Sequence, residues 1–352
     1  MLRPHLIVLL VGTLAACHSS RALPPAAPSP VDSRPVTPAS MPGDLHFTAS
    51  PREIGAIQTI TALGALAPWG HTLPTDHVYI VHHEDLPTPY PPVAVYAPGA
   101  GTIERIDGGR FNIRVNATFQ YYIAPLTPAD GIAAGMTVNA GTLLGYHSTF
   151  PAFDFAVLRS TLHLAFANPA RYGPDTYTSD GPMQYFDEPI RSALEAKVRR
   201  TGSDKQGQLT YDVVGTLAGN WFASDLPESA SGIGGSQYYG TRRLSFARDV
   251  FSPDRPRVSL GGLGFTGLYG VTDDGPAFES VTPASGLVTF RLMVIGGPQS
   301  PPTGLQAGWL LVQVLDATQL QIEAVGLPSL VPAAAAGEAP RTFSSRAELY
   351  VR

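Results

Sequence analysis

Val95-Tyr96-Ala97-Pro98-Gly99-Ala100-Gly101-Thr102-Ile103 places two strand-like ends around a Pro-Gly turn, with the cadence V-x-A-P-x-x-G-x-I. Further along, Gly135-Met136-Thr137-Val138-Asn139-Ala140-Gly141-Thr142-Leu143-Leu144-Gly145 has the cadence G-x-x-V-x-x-G-x-x-L-G. Glycines so spaced permit tight turns between sheets. Short strand candidates surround these stretches: Val78–Val81, Val93–Tyr96, Gly101–Ile106, Phe111–Val115 and Phe119–Ile123, each bounded by Pro or Gly turns. With 36 Gly and 34 Pro in 352 residues and little helical periodicity, the chain reads as many short strands joined by turns.

Two families share these cadences: biotinyl/lipoyl carrier domains and lysostaphin-like zinc endopeptidases that cut peptidoglycan cross-links. A carrier needs a lysine to modify, and no lysine precedes Lys197. The peptidases place a metal-binding His and then Asp just before the V-x-A-P strand. Here Gly70-His71-Thr72-Leu73-Pro74-Thr75-Asp76-His77 stands in that place and order. Residues 52–160 therefore resemble the lysostaphin-like peptidases, and His71–His77 is similar to a divergent secreted group of them.

The resemblance implies a third ligand and a proton-transfer His on a terminal H-x-H strand, and another His in a Y-x-H-L segment. Ala152-Phe153-Asp154-Phe155-Ala156-Val157 matches the first, with Asp154 for the ligand and Ala152 for the proton-transfer His. Tyr122–Leu126 holds no His at all. Without an imidazole to orient and deprotonate bound water, turnover is not expected, and no residue is assigned a catalytic role. His71, Asp76 and Asp154 would still form an N/O/O metal set, with His77 or His147 as a further imidazole. Zinc is the cofactor the resemblance implies; oxygen donors weaken its advantage over manganese or calcium. Equally open is a metal-free cluster, in which His71 and Asp76 pair and Asp154 accepts a hydrogen bond. His82 and His83, beside Glu84 and Asp85, read as solvated turn residues, and His163 as a satisfied core or edge residue.

Upstream, Arg3 precedes the apolar run Leu6–Val11, and Leu14-Ala15-Ala16-Cys17 follows. That reads as a secretory signal, with an apolar run shorter than the roughly 20 residues a bilayer requires. The last four residues resemble the lipobox of bacterial lipoproteins. The resemblance implies cleavage before Cys17, lipidation on it, and an anchor in the cell envelope. His18 in place of Asp favours the outer membrane, facing the periplasm or the surface. Cys17 is the sole cysteine, so no disulfide competes for it. Residues 18–51, rich in Pro, Ser and Ala, read as a semi-extended tether.

About 300 residues remain, enough for two domains. The expected fold is mainly β: a compact domain of lysostaphin-like peptidase type over 52–186, a helix and linker over 187–207, and an antiparallel β-sandwich or barrel over 208–352. The helix is marked by Asp187 at its N-cap and by Ile190, Leu194 and Val198 at helical spacing, with Gly202 as its stop. In the last part Leu209–Gly215, Leu244–Val250, Leu287–Val294, Leu310–Leu315, Leu320–Val325 and Ala347–Val351 are strand candidates. Gly215–Phe222 resembles the G-x-W opening of lipocalin barrels, and a core Trp after a turn fits equally. A ligand cavity, if present, belongs there. Charged residues make up 14% and the net charge is −5, which argues against a nucleic-acid partner. The partners expected are the membrane, through the lipid anchor, and peptidoglycan or an envelope protein.

Overall fold

Period-two alternation in the first half sorts side chains onto the two faces of one sheet. In the computed structural model its strands are β1 (Thr59–Thr61), β2 (Val78–Val81), β3 (Val93–Tyr96), β4 (Gly101–Asp107), β5 (Arg110–Arg114), β6 (Phe119–Ala124), β7 (Thr127–Pro128), β8 (Thr137–Val138), β9 (Leu143–His147) and β10 (Ala152–Arg159). A short helix α1 (Pro174–Tyr177), β11 (Ser179–Asp180) and helix α2 (Ile190–Glu195) follow. The structure describes residues 45–68, 70–82, 89–227, 241–272, 275–296, 302–327, 331–332 and 337–352. Cys17 and its leader, most of the expected tether, and His83 lie outside these. Residues 44–352 form one compact unit, and among the described residues no helix is long and apolar enough to cross a membrane.

The main sheet runs β1-β2-β10-β6-β5-β4-β8, with β11 paired to β10. Val78 and Ile80, Phe153, Phe155 and Val157, Tyr121 and Ile123, and Phe111 and Ile113 fill one face and are fully or almost fully buried. They pack against Val93, Val95 and Leu144 of the small sheet β3-β9-β7. The alternate residues point the other way and build the site. Both quoted glycine cadences have physical causes. In the first, a Cβ on Gly101 would lie 2.7 Å from the Arg114 carbonyl oxygen; in the second, Gly141 adopts φ +81° in the turn before β9, and a Cβ on Gly145 would lie 2.2 Å from the Thr127 carbonyl oxygen.

Three boundaries differ from the expectation. The tether was expected to run to Pro51, but Leu45 and Phe47 are buried, and Phe47 packs on Tyr121, Phe155 and Phe186. Two large apolar residues are diluted by the polar, Pro-rich composition around them. The helix stops before Val198 because the chain there joins β1: Ile60 N–H donates to the Lys197 carbonyl at 2.9 Å, and Arg199 N–H to the Ile60 carbonyl at 3.0 Å. Asp187 is not its cap. Its carboxylate bonds His46 Nδ1 at 2.9 Å, Pro189 stands at the N-cap, and the Glu188 carboxylate accepts from Ser192 N–H at 3.2 Å.

The second half is a closed antiparallel barrel. Its strands are β12 (Gly219–Ala223), β13 (Arg243–Arg248), β14 (Pro256–Leu260), β15 (Gly267–Val271), β16 (Val288–Ile295), β17 (Pro302–Val314), β18 (Gln319–Val325), β19 (Val331–Pro332) and β20 (Glu348–Val351). Eight of them close in the order β12-β13-β14-β15-β16-β17-β18-β20, and β20 pairs with β12; β19 hangs on β17. Leu209–Gly215 is not a strand. Its Asp212 carboxylate instead accepts from Ala167 N–H and Asn220 N–H, both at 2.8 Å.

Trp221, Leu244, Phe246, Leu260, Phe290, Leu310, Ile322 and Tyr350 turn inward and are buried, so these residues form a packed core in the place to which a ligand cavity, if present, was assigned. Arg352 stacks over Trp221 at 3.8 Å and donates to the carbonyls of Val213, Thr216 and Ala218. The outer wall of β12–β14 is buried too. There Phe222 meets Tyr172 edge-on, and Asn220 donates to the Tyr172 hydroxyl at 3.0 Å.

Candidate functional site

The register of β2, β10 and β6 determines what shares the free face of the main sheet. Asp154 lies opposite Tyr79 on one side and Ala124 on the other, and Ala156 lies opposite Tyr122. The loop entering β2 adds Asp76 and His77 at the sheet's edge. From about 100 residues away α1 brings Asp175 and Thr176, closing a pocket of about 270 Å³ over Arg110, Tyr122, Ala124 and Asp154.

Asp76 is the hub. His77 Nδ1 donates to its Oδ1 at 2.9 Å, Thr176 Oγ1 to its Oδ2 at 2.7 Å, and the Tyr122 hydroxyl lies 3.4 Å from Oδ1. Ser179 Oγ fixes the same residue through its carbonyl at 2.6 Å. The other ring nitrogen of His77, Nε2, faces Asp154 Oδ1 at 3.6 Å and makes no hydrogen bond. The ring is held edge-on to Tyr79 at 4.8 Å and to His71 at 5.4 Å. Across the pocket the Arg110 guanidinium stacks on Tyr122 at 3.7 Å and donates to Asp175 at 2.6 Å.

These contacts set the charges. Burial alone would raise the pKa of Asp76, but the hydrogen bonds from His77 and Thr176 and the nearby positive charge outweigh it, bringing the value down to about 2. Burial works against a charged His77, yet Asp154 and the bond to Asp76 prevail and raise it above the ordinary histidine value. Asp154 is raised because burial outweighs the pull of His77. His71 is lowered to about 3 by burial and by the neighbouring His77. Tyr79 and Tyr122 stay protonated, pushed well up by burial. The site is thus an imidazole between two carboxyl groups, of which Asp76 is held ionised, under two phenols.

Asp76, Asp154 and His77 meet in this pocket, while His71 stands behind His77 and touches its ring. His147 is not brought in. It is fully buried, with Nδ1 2.7 Å from the Pro125 carbonyl oxygen and Nε2 2.9 Å from that of Phe150. His82 is buried rather than solvated, stacked on Phe153 with its ring 5.1 Å from His147. His163 is exposed and stacks on Tyr177. Thr176, Asp175 and Arg110 were not anticipated. Only tertiary structure joins them, since α1 is a single turn without an apolar period. Among the described residues no group of three or more His, Cys, Asp or Glu side chains is arranged to hold a metal ion.

No family model matches this chain, and no curated protein matches it. Several solved structures do. Helicobacter pylori Csd3 matches in its orthorhombic crystal at 15% identity over 43% of this chain and 40% of that one, with a TM-score of 0.28. In its hexagonal crystal the same protein matches at 16% identity over 32% and 30%, with a TM-score of 0.24. The deep-sea M23 metalloprotease pseudoalterin matches at 19% identity over 35% of this chain and 76% of that one, with a TM-score of 0.24. Lysostaphin in solution matches at 12% identity over 84% and 92%, with a TM-score of 0.23. The matched stretch spans less than half the length of the Csd3 chains.

Proposed function

We propose that this protein is an envelope lipoprotein, anchored in the outer membrane through Cys17, whose peptidase-like half binds peptidoglycan without cutting it. The observation that carries the reading is the pairing of missing and engaged imidazoles. Ala152 stands where the proton-transfer His belongs, β6 offers Tyr122 and Ala124 but no His, and the one imidazole in the pocket is bonded to Asp76. What remains is a concave, polar surface suited to recognition. A second reading, a metal-dependent endopeptidase with rearranged groups, draws on His77 Nε2, which is buried beside Asp154 without a hydrogen bond.

The anchor and the binding are tested separately. Labelling cells with a fatty-acid analogue should mark the wild type and leave Cys17→Ser unmarked; equal labelling of both would refute lipidation at Cys17. Purified full-length protein should sediment with isolated sacculi. Protein that stays in the supernatant at physiological salt would refute wall binding.

A further inference from the structure

The resemblance to zinc peptidases implies a metal at the point where His71, Asp76 and Asp154 converge, and the geometry here does not suit one. A zinc ion needs its donors at about 2.0–2.2 Å around a single centre. The two carboxylates are instead held on opposite sides of one imidazole ring: Asp76 Oδ1 at 2.9 Å from Nδ1, and Asp154 Oδ1 at 3.6 Å from Nε2. The remaining oxygen of Asp76 is engaged by Thr176 at 2.7 Å. The ring itself is pinned, with its side chain 5% exposed, the Tyr122 hydroxyl 3.3 Å from Nδ1, and Tyr79 and His71 packed edge-on against it.

We propose that the His77 imidazole fills the position between Asp76 and Asp154 that a metal ion would take, and thereby keeps divalent cations out of the site. The ring does what a bridging ion does for two carboxylates, Asp76 buried and Asp154 with its side chain 29% exposed. It hydrogen-bonds the first and stands beside the second, so the buried one is not left without a partner. Ion and ring exclude each other, because both carboxylates can approach one centre only if the ring leaves, and its packing holds it in place. Removing the ring leaves Asp76 and Asp154 on either side of an open position, with His71 behind it. The proposal rests on the peptidase-like reading of this half of the chain.

The test uses full-length protein stripped with chelator, with zinc alone as the probe, followed by calorimetry, metal content and thermal unfolding. The wild type should take up no stoichiometric zinc, and its melting temperature should be the same with zinc or chelator. His77→Ala should bind one zinc per chain and melt higher with zinc than with chelator. Stoichiometric zinc on the wild type would overturn the proposal, and so would a folded His77→Ala protein that binds none. If His77→Ala is unfolded when stripped, recovery of its folded signal on adding zinc supports the proposal, and failure to recover overturns it. Sacculus binding is read in a different assay, so zinc on the wild type would leave the wall-binding reading standing.

Discussion

Asp249→Ala is expected to destabilise the protein by about 3–5 kcal/mol, because it removes the countercharge of a buried guanidinium. Arg257 lies on the outer face of β14 with its side chain 1% exposed, and Asp249 is 2% exposed. Arg257 Nε donates to Asp249 Oδ2 at 2.7 Å, while Oδ1 accepts from the backbone N–H groups of Phe251 and Ser252. Alanine removes the countercharge and both turn-capping bonds at once. Asp249→Asn keeps the cap but not the charge, and should fall in between. The site also lies where the halves of the unit meet: Arg200 from the segment after α2 donates to the Val250 carbonyl at 2.7 Å. The change should therefore lower the urea midpoint for both halves together. A loss below about 1 kcal/mol would show that the pair is far better hydrated than its burial indicates.

Acid should weaken the fold well above the usual carboxylate range. His71 has a folded value near 3 against 6.5 for a free histidine, the result of burial and of the adjacent His77. Because the folded value is the lower one, the unfolded chain takes up the proton first as pH falls. This part of the stability is complete above about pH 6.5 and is lost on the way to pH 3. Asp76, with its value lowered to about 2, acts in the same direction over a more acidic window: its contribution is complete above about pH 4 and fades towards pH 2. His77 works the other way. Its raised value gives a contribution that is full below about pH 6.5 and is lost as pH rises through the folded value. Raised Asp154 likewise favours the folded form in acid. The His71 ring is only partly accessible, and its own contribution between pH 7 and pH 4 should be about 2–3 kcal/mol, opposed by His77 and Asp154. Urea unfolding at pH 7, 5 and 4 measures it. His71→Gln, which cannot charge, should flatten most of the slope; an equally steep slope in that variant would mean that the acid sensitivity arises elsewhere.

Much of the architecture was legible because strands declare themselves by alternation. Phe119, Tyr121 and Ile123 on β6 and Phe153, Phe155 and Val157 on β10 mark the buried face by type alone, and their alternates mark the site. Glycine positions fixed the turns around β9. Strands β14 and β15 were not among the strand candidates; Pro256, Gly267 and Gly270 are poor strand formers by type, and cross-strand pairing makes them ladder residues. At the site, residue order pointed to Asp76 and Asp154, and both line the pocket, Asp154 from β10 and Asp76 from the loop that enters its neighbour β2. It could not distinguish His71 from His77. The two differ in which one the chain carries over the sheet edge as it enters β2, and spacing alone is silent on that. Thr176, whose hydroxyl orients Asp76, carries no local signal at all.

The most direct test of a binding site without hydrolysis is to incubate the purified full-length protein with sacculi, with zinc and with chelator, and to separate the soluble products chromatographically. The protein should pellet with the sacculi and release no muropeptides beyond the buffer control under either condition, because among the described residues the pocket's imidazole, His77, is bonded to Asp76 and pinned beside Asp154 rather than placed to activate water. Release of new cross-bridge fragments that appears with zinc and vanishes with chelator would contradict the account.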